Sequence, residues 1–360
     1  MSEKKILILG LGYIGLPLFL ILKSKKLNVI GYDIDSTKIL LLKKKKFIFN
    51  EKPLNNLYNK LNKNKNLTFV NKFVRSDVYI ICVPTPIKKN KKFDNIYIEQ
   101  CFNKIIKNLK NNDLIIIEST CPPNTTEKLF NRIKKERSDL FKKKITSIKI
   151  AYCPETIMPG NTIQELINNY KIIGGINSAS NIAAKKIYNS FNSNIISTSS
   201  NIAELVKLSQ NAYRDVNIAF ANEISNISKK YNASIVELIK LSNLHPRVNI
   251  HNPSIGVGGH CIPVDPWFLI NNYNKTNLIK TSRQINDKMP TTFYNKLRNY
   301  IIEFKNKKSL SVINIAFLGL TYKNDIGDFR GSPSLEIVSK FFKNKKPKYN
   351  FKINDPFIEK

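Results

Sequence analysis

Acidic residues are scarce in this chain of 360 residues: 26 Asp and Glu stand against 59 Lys and Arg, and the formal net charge is +33. Such a basic balance raises the question of nucleic acid or an anionic membrane surface as a partner. The excess is mostly lysine, scattered in short runs such as 43–46, and no zinc-finger, helix-turn-helix or RRM signature accompanies it. The composition therefore favours a solvated lysine-rich surface, and no nucleic-acid partner is expected.

Cysteine and histidine are also few, and their spacing excludes several kinds of site. The five cysteines form no C-x-x-C pair, so neither a disulfide framework nor a zinc site is predicted. The three histidines form no H-x-x-x-H or H-E-x-x-H pattern, so no catalytic metal is expected. No apolar run reaches ~18 residues and no signal peptide precedes the first strand. A soluble, cytoplasmic protein without membrane insertion is expected.

The N-terminal third alternates short apolar runs with longer amphipathic stretches. The runs predict buried parallel strands at 6–9, 28–32, 67–70, 78–83, 114–119 and 148–152. This βαβ succession predicts a doubly wound sheet of Rossmann type. Apolar residues at three- and four-residue spacings then predict one long helix over 201–231 and further helix over 234–244.

A second strand-and-glycine start follows late in the chain, at 312–319. The predicted fold class is therefore α/β in three domains: an N-terminal Rossmann-type doubly wound domain over 1–200, a central long-helix domain over 201–307, and a partial Rossmann-like domain over 308–360. The last is short for a domain, which usually has ~100 residues or more. The chain is expected to end within it.

The first predicted strand runs into a G-x-G-x-x-G segment, formed by Gly10, Gly12 and Gly15, that opens a helical pattern. Asp33 ends the next strand 18 residues after Gly15. At that spacing a carboxylate accepts both ribose hydroxyls of NAD, and it disfavours the 2′-phosphate of NADP. NAD is therefore predicted as the cofactor, a preference that Lys38 weakens a little.

Three other predicted strands end in polar residues that are candidates for a site. Thr85 and Thr120 follow strands at their carboxyl ends, where doubly wound sheets bind ligands. They are candidate cofactor contacts, or else residues of an ordinary turn or helix cap. Glu155 follows another strand and could hold a water and act as a base. Its alternative interpretation is a surface acid.

A second glycine-rich segment, 256–266, carries Cys261 to the expected start of a helix. Helix N-termini and nearby cations favour the nucleophilic thiolate. Asp265 lies four residues on, hence on the same face of such a helix, where it could orient a water or a lysine. The alternative is a buried structural cysteine.

The long predicted helix carries a polar stripe, with Lys207, Asn211 and Arg214 at positions i, i+4 and i+7. An ammonium and an amide so arranged could stabilise a developing oxyanion. The alternative is a solvated helix edge. Arg247, in the segment His245-Pro246-Arg247, could bind phosphate or carboxylate through its guanidinium fork.

Together these segments resemble the UDP-glucose/GDP-mannose dehydrogenase family. The matching motifs, in chain order, are GLGYIGLP (10–17), VPTP (83–86), EST (118–120), CPE…PG (153–160), IGG (173–175), AELVKL…NAYRDVNIAFANE (203–223), GVGGHCIPVDP (256–266) and GLTYKND…DFRGSPS (319–334). Within the family, AYCPE…MPG, HPRVNI and VGGHCIPVDPWF most resemble the enzymes that oxidise UDP-N-acetyl-D-mannosamine. Those enzymes supply UDP-N-acetylmannosaminuronate for surface polysaccharides such as enterobacterial common antigen.

The resemblance implies oxidation of a sugar CH2OH to a carboxylate by two NAD. It implies that Cys261 adds to the intermediate aldehyde as a thiohemiacetal, which is oxidised to a thioester and hydrolysed. Lys207, with Asn211 beside it, is implied to donate and accept protons and to stabilise the oxyanion. Glu155 and Asp265 are implied to activate water and handle protons.

The resemblance also implies two sets of binding residues. The NAD contacts would be Tyr13, Ile14, Asp33, Lys38, Thr85, Thr120 and Arg330, beside the glycines of the first turn. The UDP-sugar contacts would be Ile157, Lys207, Asn211, Arg214, His245, Arg247, Gly258, Tyr322 and Lys323. Because the position of Arg247 often serves the neighbouring subunit, a homodimer with shared active sites is implied. The three domains would bind NAD, form the dimer with the catalytic residues, and bind UDP.

Four residues depart from the family pattern: Thr156 stands for a usual arginine, Gln210 for a glutamate, Asn124 for a glycine and Gly331 for a glutamate. The family's third domain normally continues beyond the Asp355-Pro356 segment, so a truncated domain is expected, with consequences for folding, UDP affinity or activity. Alternative functions are a UDP-GlcNAc or UDP-glucose 6-dehydrogenase, a two-electron β-hydroxyacid dehydrogenase, and a non-catalytic remnant.

Overall fold

The computed structural model describes residues 4–49, 51–63, 67–141, 148–158, 160–323, 327–344 and 349–357. The chain forms two compact units, Met1–Leu208 and Ser209–Lys360. One long helix contains the boundary between them.

The first unit holds one sheet and the helices that cover its two faces. Its strands are β1 (Ile6–Leu9), β2 (Val29–Tyr32), β3 (Phe69–Val70), β4 (Val78–Ile81), β5 (Leu114–Ile117), β6 (Lys149–Tyr152), β7 (Lys171–Gly175) and β8 (Ile195–Ser199). Its helices are α1 (Gly15–Ser24), α2 (Ser36–Lys43), α3 (Lys52–Lys63), α4 (Ile96–Asn108), α5 (Thr125–Glu136), α6 (Thr162–Asn168) and α7 (Ser178–Tyr188), with a 3-10 turn at Ser138–Phe141.

The sheet has the order β3-β2-β1-β4-β5-β6-β7-β8 and confirms the predicted doubly wound topology. The strand order reverses between β1 and β4, which makes that edge the point where such folds bind ligands. Neighbouring strands are parallel, except that β7 runs antiparallel to β6, with Ala151 opposite Gly175. The strands β7 and β8 were not predicted, because lysine, glycine and serine interrupt their apolar pattern.

Both faces of the sheet are buried, which explains why its first strands are apolar throughout. Ile6 and Ile8 of β1 point into one core, with α1 and α3, while Leu7 and Leu9 point into the other, with α4. Successive side chains of a strand alternate between faces. A strand covered on both sides therefore has no polar position.

The second unit contains most of α8 (Ser200–Lys230), α9 (Ile235–Ser242), α10 (Asp265–Ile270), α11 (Asn277–Lys307), β9 (Ile313–Leu318), α12 (Pro333–Lys343) and β10 (Tyr349–Asn354). The long helix α8 confirms its prediction. The strands β9 and β10 are parallel, with Ile313 opposite Tyr349, and Phe341 of α12 is fully buried beside them. The strand-and-glycine start predicted at 312–319 is thus present as β9 and the glycine after it, and a helix and a second strand follow. Among the described residues, no helix is long and apolar enough to cross a membrane.

Candidate active site

The glycine turn joins β1 to α1 at the switch point of the sheet. A Cβ atom on Gly15 would lie 1.9 Å from the carbonyl oxygen of Gly10, so only glycine allows α1 to begin this close to the strand. A Cβ atom on Gly12 would meet nothing within 4 Å. The turn therefore leaves open space in front of the helix, whose first turn carries no acidic side chain. Such a space at the N-terminus of a helix fits the pyrophosphate of NAD.

Asp33 follows β2 and is 7% exposed. Its Oδ2 accepts hydrogen bonds from the Leu11 backbone N–H at 2.8 Å and from Lys38 Nζ at 2.7 Å. Its Oδ1 accepts one from the Asp35 backbone N–H at 3.0 Å. The carboxylate is thereby tied to the glycine turn, where the ribose of a bound dinucleotide lies in such folds.

Replacing Asp33 by serine is expected to shift the cofactor preference from NAD toward NADP. The change removes the acceptor for the ribose hydroxyls and frees the Lys38 ammonium for a 2′-phosphate. A hydrogen bond to a charged group contributes about 1.5–3 kcal/mol, so kcat/KM with NAD should fall roughly 10- to 100-fold. Steady-state assays with both cofactors measure the preference, and Lys38→Ala in the same background should remove the gain for NADP. An unchanged preference would contradict the assigned role.

The other predicted cofactor residues of the first unit follow β1, β4 or β5, at the carboxyl ends of these strands. Thr85 follows β4 and Thr120 follows β5, and both are half-buried. The Tyr13 ring stacks on Phe49, with 4.6 Å between ring centroids. Ile14 packs against the core beside α1. Their contacts with NAD stay predictions.

Glu155 is 8% exposed, so its interpretation as a surface acid was wrong. Its Oε2 lies 3.0 Å from Lys171 Nζ, and its Oε1 accepts a hydrogen bond from the Thr156 backbone N–H at 2.7 Å. Lys171 also bonds both carboxylate oxygens of Glu118, at 2.8 and 3.0 Å. Tyr188 donates a hydrogen bond to Glu118. Burial raises the pKa of Glu118 to about 7, against the opposing effect of Lys171.

Sequence reasoning missed Lys171 and Tyr188. The ion pair joins positions 53 residues apart, and no local pattern marks it. One sequence signal could have indicated the pair: a lysine begins the short apolar run of β7. A lysine buried in such a strand needs a carboxylate beside it.

Lys207 is half-buried on α8, and its Nζ donates a hydrogen bond to the Glu155 carbonyl oxygen at 2.7 Å. One turn earlier, the fully buried Glu204 accepts hydrogen bonds from the backbone N–H groups of Asn124 and Thr126, at 2.7 and 2.8 Å. These bonds fix the start of α8 against the loop that precedes α5. Asn124 has φ +66°, which explains how asparagine replaces the family's usual glycine, since it tolerates this conformation.

In the second unit, Cys261 lies in a turn ahead of α10 and not at the start of that helix, so this expectation was wrong. The helix begins at Asp265, because Pro266 sits in its first turn, where a missing N–H costs nothing. The Cys261 carbonyl oxygen accepts hydrogen bonds from the backbone N–H groups of Val264 at 3.0 Å and Asp265 at 2.9 Å. Cys261 is exposed, whereas the other four cysteines are buried. It is therefore no buried structural cysteine.

The glycine loop before Cys261 packs against Tyr322. Cβ atoms on Gly258 and Gly259 would lie 2.6 and 2.8 Å from atoms of the Tyr322 side chain, so no larger residue fits at either position. The loop is held from its other end by Ser254, whose backbone N–H donates to Asn222 Oδ1 on α8 at 2.8 Å. The nucleophile candidate thus stands on a braced loop.

Two predicted catalytic residues meet in the second unit. Asn211 on α8 donates a hydrogen bond through its Nδ2 to Asp265 Oδ2 on α10, and both residues are buried. Arg214, one turn later on α8, is exposed and lines an open cavity of about 500 Å³ together with His251 and Asn252. On the polar stripe, Asn211 is therefore held by a hydrogen bond, whereas Arg214 is exposed and can contact a ligand.

The remaining predicted contacts occupy separate segments. His245 and Arg247 are exposed after α9, where the Arg247 backbone N–H donates to His245 Nδ1 at 3.3 Å. Arg330 pairs with Asp328, with 2.6 Å between Nη2 and Oδ2. The other three lie half-buried, Ile157 in the first unit and Lys323 and Gly258 in the second. Pro159 and residues 324–326 of the matched motifs lie outside the described residues. Within the described ranges, no group of His, Cys, Asp and Glu could hold a metal ion.

Comparison with known proteins matches residues 4–192 to the NAD-binding domain of the UDP-glucose/GDP-mannose dehydrogenase family and residues 201–288 to its central domain. A UDP-N-acetyl-D-mannosamine dehydrogenase of Methanococcus aeolicus is 42% identical over 361 residues, which cover 99% of this chain and 79% of the relative. An NDP-N-acetyl-D-galactosaminuronic acid dehydrogenase of Ralstonia solanacearum is 38% identical over 341 residues, which cover 93% and 79%. The solved structure of a UDP-D-ManNAc dehydrogenase from Pyrococcus horikoshii superimposes with a TM-score of 0.89 at 35% identity, over 99% of this chain and 84% of that one. The chain belongs to the UDP-glucose/GDP-mannose dehydrogenase family and is an NAD-dependent nucleotide-sugar dehydrogenase.

Proposed function

We propose that this enzyme oxidises UDP-N-acetyl-D-mannosamine at C6 to UDP-N-acetyl-D-mannosaminuronate. The reaction consumes two NAD and one water and releases two NADH and three protons. A four-electron oxidation is supported by Cys261, which is exposed on a glycine loop that packs against Tyr322. A two-electron oxidation needs no thiol. We propose N-acetylmannosamine as the sugar because the similar proteins from Methanococcus and Pyrococcus are named as dehydrogenases of its UDP derivative.

When bound in the glycine turn, NAD would supply the hydride acceptor for each of the two oxidations. After the first, the Cys261 thiolate attacks the aldehyde carbon, and the carbonyl oxygen becomes the oxyanion of a thiohemiacetal. Loss of the second hydride from that carbon gives a thioester. Water then adds to the thioester carbonyl, the carbon–sulfur bond breaks, and the carboxylate leaves while the thiol is regenerated.

Four side chains support these steps in the proposal. The neutral amine form of Lys207 takes up the proton of the C6 hydroxyl, and the ammonium so formed stabilises the oxyanion together with the Asn211 amide. The Asn211 amide is fixed for this by its hydrogen bond to Asp265. Glu155 accepts the proton of the attacking water.

The nucleotide end of the substrate is charged and calls for cations. The guanidinium groups of Arg214 and Arg247 are exposed and free to bind phosphate oxygens. Tyr322 lies against Gly258 at the entrance to the Cys261 loop and can contact the sugar or uracil. We assign further contacts with the UDP-sugar to Ile157, His245 and Lys323, and a contact with NAD to Arg330.

A homodimer is part of the proposal. Tyr213, Phe220 and Ile227 recur every seven residues on α8 and are 57%, 46% and 52% exposed. Seven residues are two helical turns, so these side chains form one apolar stripe. Val236 on α9 adds a side chain that is 75% exposed. A second copy of the chain would cover such a face. The product is an activated uronic acid, fit for transfer into a surface polysaccharide such as enterobacterial common antigen.

Purified enzyme is expected to form two NADH for each UDP-N-acetyl-D-mannosamine consumed, because the aldehyde remains bound to Cys261 until the second oxidation. NADH absorbance and product chromatography measure the two amounts. UDP-GlcNAc, UDP-glucose and an N-acetylgalactosamine nucleotide serve as comparison substrates, the last because of the Ralstonia relative. A single NADH per sugar would instead support a two-electron dehydrogenase, and a higher kcat/KM for another sugar would replace the proposed substrate.

A further inference from the structure

We propose that Lys171 and Glu118 are positioning residues of the oxidation, which together hold the Glu155 carboxylate and set how readily it accepts a proton. This inference rests on the proposed function. Lys171 Nζ lies 3.0 Å from Glu155 Oε2, 2.8 Å from the nearer oxygen of Glu118 and 3.3 Å from the Pro154 carbonyl oxygen. Lys171, Glu118 and Glu155 are 5%, 3% and 8% exposed.

The topology of the sheet explains why these side chains meet. Glu118 follows β5 and Glu155 follows β6, both at carboxyl ends. Because β7 is antiparallel to β6, its first residue, Lys171, lies at that same edge. The Lys171 ammonium thus lies at the edge of the sheet where the loop with Glu155 begins.

The cluster of Lys171, Glu118 and Glu155 has more acidic than basic groups. Two carboxylates face one ammonium, and among the described residues Lys171 is the cation paired with both. Tyr188 on α7 donates to Glu118, and Lys207 on α8 reaches the carbonyl oxygen of Glu155 and not its carboxylate.

The remaining titratable neighbours are thiols. Cys82 after β4 and Cys153 after β6 face the same cluster, and burial raises the pKa of both well above the ordinary value. They are therefore neutral at physiological pH. Beside Lys171, burial raises the pKa of Glu118 to about 7.

This arrangement links Glu118 to the proton acceptor. When Glu118 is protonated, the Lys171 ammonium attracts the Glu155 carboxylate alone. Glu155 then accepts a proton less readily. When Glu118 is ionised, the ammonium is shared by two carboxylates, and Glu155 accepts a proton from water more readily. Thioester hydrolysis should therefore speed up as pH rises through the pKa of Glu118.

The test compares Lys171→Met, Lys171→Arg and Glu118→Gln with the wild-type enzyme, using UDP-N-acetyl-D-mannosamine and NAD. Lys171→Met is expected to lower kcat about 100-fold or more, because the Glu155 carboxylate loses the ammonium that holds it and, beside Glu118 without a cation, stays protonated and cannot act as a general base. Both KM values should stay within about threefold. Lys171→Arg should recover most of the loss, because a guanidinium can pair with the same oxygens. Glu118→Gln should remove the rise of kcat near neutral pH and hold it at the acidic level.

Arg75→Met is the matched control. Arg75 pairs with the buried Asp113 of the same sheet, with 2.9 Å between Nη2 and Oδ1, but at the amino end of β5. An equal fall of kcat in Arg75→Met and Lys171→Met would show a merely structural effect and overturn the proposal. So would an unchanged pH profile in Glu118→Gln, which decides the matter even if Lys171→Met fails to fold.

A wild-type enzyme without turnover on any of the four nucleotide sugars would refute the proposed function, a result distinct from the failure of the variants. Carbon-13 NMR of the labelled Glu118 carboxyl then tests the cluster directly. In wild type it should titrate near neutral pH, and in Lys171→Met at higher pH, because the ammonium that lowers its pKa is gone. Titration of Glu118 as an ordinary surface carboxyl would overturn the cluster itself.

Discussion

Replacing Cys261 by alanine is expected to abolish carboxylate formation, with kcat falling between about 10³- and 10⁶-fold, as when a covalent nucleophile is removed. The first hydride transfer does not use the thiol, so a single turnover should still release up to one NADH and leave the aldehyde, which a hydrazine reagent can trap. Cys261→Ser should behave like alanine, because a hydroxyl at neutral pH is a far weaker nucleophile than a thiolate. Rapid-mixing NADH measurements and mass spectrometry of the sugar distinguish the two oxidations.

The matched control is Cys101→Ala. Cys101 is buried on α4, and burial raises the pKa of its thiol to about 12, so it is neither ionised nor accessible. Its replacement should leave the ratio of two NADH per sugar intact. Alkylation with iodoacetamide should modify Cys261 in the folded wild-type enzyme and spare Cys101. Normal turnover in Cys261→Ala would remove the thioester from the mechanism.

Replacing Arg283 by methionine is expected to destabilise the second unit by about 3–5 kcal/mol, which breaking a buried ion pair usually costs. Arg283 on α11 and Asp215 on α8 are both fully buried and form an ion pair. Without the guanidinium, Asp215 keeps a buried charge, and among the described residues only Asn286 remains as a side-chain donor to it, at 2.9 Å. For a unit of this size the loss corresponds to roughly 10 °C in Tm. Trp267, the single tryptophan of the sequence, lies in the second unit and reports its unfolding by fluorescence.

The loss of stability should depend on pH with a definite sign. Burial raises the pKa of Asp215, and Arg283 opposes that rise. In Arg283→Met the folded pKa therefore increases further above the unfolded value. Such a carboxyl favours the fold below its unfolded pKa and loses that contribution as pH rises through its folded pKa, so the deficit should be smaller near pH 5 than near pH 8.

Two further variants separate charge from shape. Arg283→Met combined with Asp215→Asn removes both charges and should recover much of the lost stability, because no unpaired charge stays buried. Lys340→Met breaks a surface pair with Glu336 on α12, where 3.4 Å separates the charged atoms, and should change stability by less than about 1 kcal/mol. Equal losses in Lys340→Met and Arg283→Met would contradict the assigned weight of the buried pair.

Local patterns in the sequence were sufficient to predict the first strands of the sheet, the glycine turn, Asp33 at the end of β2 and the long helix α8. These features depend on local patterns: apolar runs buried on both faces, glycine where a Cβ atom cannot fit, and three- and four-residue spacing. Cys261 was found in the same way, because a glycine-rich segment around one cysteine is a local pattern. The polar stripe on α8 followed from helical periodicity alone.

The pairing of distant polar groups could not be predicted from the sequence and is seen in the folded chain. The bond between Asn211 and Asp265 joins residues 54 positions apart, and Lys171 reaches Glu118 across 53. The burial of Glu155 and the burial of Arg283 beside Asp215 are likewise invisible in their neighbouring residues. The physical reason is that a polar side chain enters a core only when a partner offsets its desolvation. That partner is chosen by strand order and helix packing, which bring together positions that no local periodicity relates.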